Sequence, residues 1–216
     1  MNKIGFLILF AAIFLAGCAD PAANKPKAET SEPSSTKTEG NTEKAELKGT
    51  GLAITSDTSK VEFTGSKVTG KHEGGFKKVS GMIDLVNEKP EESSVSVEID
   101  MASVYSDADG LTKHLKTGDF FEVEKYPKSK FVSTKIAADG EKGENAFNVT
   151  GDLEMRGQKK SITFPATIKV GDEKVEVDAE FSINRKDFGI VYAGKADDLI
   201  RDNVVIKLDL ESARKK

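Results

Sequence analysis

Few side chains in this sequence have the type and spacing that could do chemistry. There are two histidines, His72 and His114, and one cysteine, Cys18. A pair of imidazoles could share a metal ion, but neither histidine has a second ligand at the short spacing that zinc sites use. His72 lies in a stretch with Gly70, Gly74 and Gly75, and His114 stands beside Leu115, so packing is the simpler role for both. A Gly-x-Ser-x-Gly turn, which would present a nucleophilic serine, does not occur, and no thiol follows Cys18. Arg185 and Asp187 beside Phe188 could face a ligand, although an ion pair holding a corner of the fold is the commoner use of such residues. Lys159 and Lys160 read as solvated residues of a hairpin. Asn148, Val149 and Thr150 match a glycosylation acceptor, which on the polar face of a strand reads as coincidence. No catalytic residue, metal or cofactor is expected, and the chain reads as a non-enzyme.

Cys18 has a chemistry of its own. An apolar run over residues 4–15 follows Lys3, the only charge before it. It is too short for a membrane-spanning helix, which takes about 20 residues. The run leads into Leu15, Ala16, Gly17 and Cys18, which resembles a bacterial lipoprotein signal. In such a signal the thiol is alkylated by a diacylglycerol and cleavage leaves the cysteine as an acylated N-terminus. The alternative is an ordinary secretory signal with an incidental cysteine. At ~0.8 kcal/mol per buried CH₂, two or three acyl chains would hold the protein stably on a membrane. Residues 1–17 are therefore expected to be a signal peptide, and the remainder to be lipid-anchored at Cys18 in the cell envelope. Ala19, in place of an aspartate, favours the outer membrane facing the periplasm if the host has two membranes. Residues 18–51 are rich in Pro, Lys, Glu, Ser and Thr and poor in large apolar side chains, so they are expected to be a tether without structure. Residues 52–216 remain as one domain. The formal net charge of −4, with signs interspersed, offers no basic footprint for nucleic acid.

Residues 111–131 say most about the elements that must position a site. They contain Lys113, His114, Leu115 and Lys116, then Asp119, Phe120 and Phe121, then Lys125, Tyr126 and Pro127, and end on Phe131. Each buried aromatic contributes roughly 1.5–3 kcal/mol, so two adjacent phenylalanines in a polar connection must fold back onto something apolar. This order of residues resembles the YceI-like polyisoprenoid-binding family, where a helical turn with a His-Leu pair precedes Asp-Phe-Phe and then Lys-Tyr-Pro leading into a strand. Gly151, Asp152 and Leu153 with Gly157, Lys160 and Thr163 are similar to that family's strand pair. Arg185, Asp187, Phe188, Gly189 and Ile190 are similar to its Arg-x-Asp-Phe-Gly-Ile corner, and residues 202–210 to its closing strand. The resemblance covers about residues 52–211. It implies a lipocalin-like antiparallel barrel and a polyisoprenoid lipid, of the quinone or prenyl phosphate class, as ligand.

The alternation of side chains leads to the same architecture without the resemblance. Phe147, Val149, Gly151, Leu153 and Met155 alternate with polar residues, as do Ile162, Phe164, Ala166, Ile168 and Val170. The same pattern holds for Val175, Val177, Ala179, Phe181 and Ile183, for Val204, Ile206, Leu208 and Leu210, for Val95, Val97, Ile99 and Met101, for Phe76, Val79, Gly81, Ile83 and Leu85, and for Val61 with Phe63. Period-2 alternation predicts strands with one buried face, and Gly171 with Asp172 marks a hairpin. The only helical stretch, near residues 109–117, is too short to cover an apolar sheet. The fold class is therefore all-β, an up-and-down barrel of about eight strands with a short helical cap; a two-sheet sandwich stays open from pattern alone. The candidate ligand-facing residues are Phe63, Phe76, Phe131, Phe147, Phe164 and Phe181 from strands, Leu115, Phe120 and Phe121 from the cap, and Phe188 from the corner. A hollow barrel lined this way suits a long hydrocarbon chain. A filled barrel needs the same alternation, which leaves a structural or stress-related envelope lipoprotein without a lipid ligand as the alternative. The expected partners are the lipid and the membrane, with the protein a monomer or a homodimer.

Overall fold

A computed structural model describes residues 19–33 and 47–214. Its strands are β1 (Glu29–Ser31), β2 (Thr50–Thr55), β3 (Lys60–Lys67), β4 (Gly70–Phe76), β5 (Val79–Leu85), β6 (Ser94–Asp100), β7 (Val104–Ser106), β8 (Lys128–Ala138), β9 (Ala146–Met155), β10 (Gln158–Val170), β11 (Lys174–Asn184), β12 (Gly194–Lys195), β13 (Asp198–Leu199) and β14 (Asn203–Ala213). The helix α1 (Asp109–Leu115) lies between β7 and β8. One sheet of 12 strands runs in the order β2-β5-β6-β8-β9-β10-β11-β14-β3-β4-β7, with β1 added on β10, while β12 and β13 pair separately.

The sheet curls strongly into a half-barrel. Its curl brings β14 against β2, where the Ser212 hydroxyl donates to the Ala53 carbonyl at 2.6 Å. Beside this, Thr58 Oγ1 donates to the Glu211 carbonyl at 2.9 Å and the Glu211 N–H donates to Ser59 Oγ at 3.0 Å. The inward faces of the long strands form one core that includes Val149, Ile162, Phe164, Ile168, Val177, Phe181 and Ile183. Phe164 and Phe181 stack with centroids 4.1 Å apart and planes 11° from parallel. Gly151 is required where the Phe131 ring crosses β9: a Cβ there would run into that ring and lie 2.5 Å from the Val132 carbonyl oxygen. The β8–β9 register slips between Ser133 and Lys135, a bulge of the kind that bends a strand around a curled sheet.

The all-β, antiparallel architecture with one short helix agrees with the alternation, but the strands outnumber the eight expected. One cause is that the run from Phe76 to Leu85 is not continuous. Lys77 and Lys78 leave the ladder to donate their N–H groups to the Ser103 carbonyl and hydroxyl, at 3.2 and 3.0 Å, which separates β4 from β5. The β3–β4 hairpin also leaves the wall between β2 and β5, so β2 pairs with β5, for example Ile54 with Gly81.

The larger correction concerns the N-terminal segment. Within the stretch expected to be an unstructured tether, residues 19–33 lie on the sheet, with Ala22 and Ala28 buried and β1 paired to β10. The composition argument weighs only side-chain burial. A strand that joins two open backbone edges is held by main-chain hydrogen bonds, which need no large apolar residue. Cys18 and the rest of the expected signal and tether lie outside the described residues.

Candidate functional site

The inner face of the half-barrel encloses a cavity of about 130 Å³ that presents only apolar surface. Phe131, Phe164 and Phe181 line it together with Ile162, Ile183 and Met155. A dry cavity of about 150 Å³ accommodates a benzene-sized group, so the chamber has room for a short piece of a hydrocarbon chain.

A second cavity of about 120 Å³, also apolar, lies under the cap between Phe63, Phe76, Leu115, Phe120 and Phe121. Met155, Ile183 and Ile206 belong to the walls of both chambers. The cap is built by tight main-chain turns after α1. The Phe121 N–H donates to the Leu115 carbonyl at 3.0 Å and the Glu122 N–H to the Thr117 carbonyl at 2.9 Å, which folds both phenylalanines back beneath the helix. Phe76 then meets Phe63 and Phe121 with centroids 5.9 and 5.8 Å away. Arg156, in the β9–β10 hairpin, ties the cap to the wall by donating to the Gly189 carbonyl at 2.6 Å and the Gly118 carbonyl at 2.8 Å. Arg156 and Gly157 both have positive φ, 51° and 71°, as a two-residue hairpin turn of the primed type requires.

Arg185 closes the floor of the cap chamber. Only 4% exposed, it donates to the carbonyls of Ile190 and Arg201 at 2.7 and 3.1 Å. Burial pushes its guanidinium pKa down, and the nearby Asp202 carboxylate opposes that shift. Its acidic partner is Asp202, at 3.4 Å, and not the Asp187 that sequence spacing suggested, because the corner turn carries the chain back so that the residues before β14 meet the guanidinium.

A third cavity, of about 280 Å³, is more open and mostly apolar, with polar and charged groups at its edge. It shares Phe63, Leu115, Phe120 and Ile200 with the cap chamber and adds Lys67, His72, His114, Tyr192, Lys195 and Asp198. The two histidines thus meet at one vestibule, each bound to its own carboxylate: His72 Nδ1 lies 2.8 Å from Asp107 and His114 Nε2 lies 2.7 Å from Asp119. The Glu73 N–H, and then His72, hold the Asp107 carboxyl below its usual range. Lys67, and then Thr69, do the same for Asp198. The His114 ring meets Phe120 and Tyr192 edge-on, with centroids 5.0 and 5.1 Å away. Among the described residues no group of three His, Cys, Asp or Glu side chains could hold a metal ion.

The ten candidates from the sequence therefore divide. Phe131, Phe164 and Phe181 line the inner chamber. Phe63, Phe76, Leu115, Phe120 and Phe121 line the cap chamber. Phe147 and Phe188 are packed in the core, at 5% and 0% exposure, and line none of these three cavities. Met155, Tyr192, Ile190 and Ile200 are wall residues that sequence reasoning missed. Met155 carried a strand signal but no reason to mark a boundary between chambers, and the other three sit in an irregular connection without periodicity.

Residues 52–212 match the YceI-like domain. Over 123 residues the chain is 40% identical to a UPF0312 protein of Pseudomonas putida (strain GB-1), an alignment covering 54% of this chain and 62% of that protein. The chain thus spans less than two thirds of the length of that curated relative. Among solved structures, BcnA of Burkholderia cenocepacia is similar with a TM-score of 0.65 at 28% identity, covering 73% of this chain and 98% of that one. A polyisoprenoid binding domain from Saccharophagus degradans, implicated in plant cell wall breakdown, is similar with a TM-score of 0.61 over 76% of this chain and 99% of that one. At 17% identity that likeness is one of fold alone.

Proposed function

The chain belongs to the YceI-like family, and on that premise we propose that its lumen binds a polyisoprenoid-type lipid, of the quinone or prenyl phosphate class, and carries it within the cell envelope. The observation that carries this reading is the set of adjoining cavities: two apolar chambers that share Met155, Ile183 and Ile206, the second of which shares Phe63, Leu115 and Phe120 with a more open vestibule edged by charged and polar side chains. An amphiphile with a long apolar tail and a compact polar head has that order of surfaces. The tail would lie against Phe164 and Phe181, then under Phe120 and Phe121, with the head among His72, His114, Tyr192 and Lys195. Chambers of about 130 and 120 Å³ take only part of a long chain. A full-length tail must move Met155, whose unbranched side chain adapts readily to irregular space. That a domain of the same fold is a polyisoprenoid binding domain is in keeping with a polyisoprenoid ligand.

The reading includes the anchor. Acylation at Cys18 would hold the protein on a membrane, on the outer membrane facing the periplasm in a host with two. The small chambers favour a second reading, in which the barrel is filled and the protein is an envelope lipoprotein without a lipid ligand.

A binding titration separates the two. The purified chain, given a fluorescent prenyl probe from detergent or vesicles, should take it up saturably and release it to an added quinone or prenyl phosphate. Failure to take up the probe from any donor would leave the filled barrel. Anchoring is tested by Cys18→Ser, which should block processing or abolish partitioning into a detergent phase.

A further inference from the structure

The wall of the half-barrel has a gap that the chain fills with its own N-terminal segment. β10 pairs with β11 only where residues 167–170 meet residues 175–178. Nearer the start of β10, residues 161–163 pair instead with β1, with Glu29 opposite Thr163, Thr30 opposite Ile162 and Ser31 opposite Ser161. Pro165 lies between these two stretches, and a proline has no N–H to give to a ladder. On the far side of the gap the Ala28 N–H donates to the Ser182 carbonyl and the Ser182 N–H donates to the Pro26 carbonyl, both at 2.8 Å. Residues 26–31 are therefore a stave, antiparallel to β10 on one side and bridged in parallel to β11 at Lys27 and Ser182 on the other.

The stave is part of the lumen wall and is lightly held. Ala28 is 3% exposed and packs in the same core as Ile162, Phe164, Phe181 and Ile183, all four of which line the inner chamber. No large apolar side chain of the stave enters that core. The residues flanking it add ion pairs, Lys25 with Glu180 at 2.7 Å, Glu32 with Lys160 at 2.6 Å and Asp20 with Arg201 at 3.7 Å, a class that contributes little to stability at the surface, and bury only the small Ala22. The stave lies outside the residues that match the family domain, whereas both strands it joins lie inside them.

We propose that the gap between β10 and β11 is a strand-binding site, occupied here by residues 26–31 and able to release them, and that the open gap is the side door by which lipid reaches the lumen. Its ligand is an extended peptide with small side chains at the two inward positions, as Ala28 and Thr30 provide. Main-chain addition of this kind is an established mode of peptide recognition. Release would bare Ile162, Phe164, Phe181 and Ile183 along the length of the chamber, so that a long tail could move in sideways without threading. The door rests on the lipid-binding reading above; the strand site does not.

The test uses the full chain carrying Cys18→Ser. Glu29→Cys with Thr163→Cys places a thiol pair at directly opposed positions. Oxidation should slow uptake of a fluorescent farnesyl probe at least tenfold, and reductant should restore it. Ala28→Asp puts a charge into the apolar wall and should eject the stave. Trypsin cleavage at Lys27 should then become at least tenfold faster and probe exchange likewise, while near-ultraviolet circular dichroism shows the domain still folded. A synthetic peptide of residues 19–33 should restore slow exchange to that variant. Unchanged uptake on oxidation would overturn the door. Unfolding of the Ala28→Asp domain, or no binding of the peptide to it, would overturn the releasable strand. If the wild-type chain takes up no probe, the door falls with the lipid reading, and trypsin cleavage and peptide binding alone decide the strand site.

Discussion

In the inner chamber Phe164 and Phe181 lie face to face, 4.1 Å apart, on strands whose neighbours hold them along continuous ladders. Under the cap, Phe120 meets His114 edge-on at 5.0 Å and Tyr192 at a tilt at 5.6 Å, on turns and an irregular connection, with the more open vestibule on one side. The two regions bury aromatic rings by different means. The strand-built chamber is dry and fixed by the sheet, so it should set the stability of the fold. The turn-built cap borders the more open vestibule and is held by a few local bonds, so it should govern exchange at that end of the lumen, as the stave would at the side wall.

The sharpest way to break that contrast is Phe164→Asp. A charge on the stacked, 4% exposed ring position has no partner there and should unfold the domain, seen as loss of the cooperative thermal transition. Thr163→Ala, one residue away on the opposite face, loses a hydroxyl contact to Thr150 at 2.8 Å and should change stability by only about 0.5–1.5 kcal/mol. Equal tolerance at both positions would mean that the wall is not the stabilising region.

Truncation in the cap should have a smaller effect on stability and a larger one on exchange. Phe120→Ala removes a ring at 8% exposure and should cost about 3 kcal/mol, or roughly 6–12 °C in melting temperature for a domain of this size. Phe121 is half-buried, so Phe121→Ala should cost about 1–2 kcal/mol while speeding exchange of a bound prenyl probe. If Phe121→Ala destabilises as much as a core truncation and leaves exchange unchanged, the cap is a plug.

Acid should separate the two regions most gently. Asp107 is held below the usual carboxylate range, first by the Glu73 N–H and then by His72. Its folded pKa is depressed, so its contribution is present above the unfolded value of about 3.9 and is lost as pH falls through the lower folded value. As pH falls below the usual carboxylate range, the β4–β7 joint beside the vestibule should lose amide protection at Glu73 and Asp107 while the inner strands keep theirs. Simultaneous loss in both regions would deny the cap its independence.

The same contrast explains what was legible in the sequence. Period-2 alternation gave β9, β10, β11 and β14 nearly residue by residue, because one face of each strand is buried and the other is solvated. It could not mark the break at Lys77 and Lys78, where Ser103, 25 residues beyond Lys78, takes both N–H groups. The aromatic pair after α1 announced a cap, but Tyr192, Ile190 and Ile200 reach it from a segment with no period to read. β1 was hidden for a different reason: its ties are backbone bonds to Ser182 and to residues 161–163, and composition carries no trace of those. Arg185 was visible as a corner residue, yet its true partners are carbonyls and Asp202, which only the folded corner brings near.

Native mass spectrometry of the wild-type chain, after incubation with vesicles containing a long-chain quinone and a prenyl phosphate, tests the central claim most directly. The account predicts a folded mass carrying one prenyl lipid per chain, with the bound species absent when vesicles lack both. A folded chain that stays free of prenyl lipid at every vesicle concentration would contradict it.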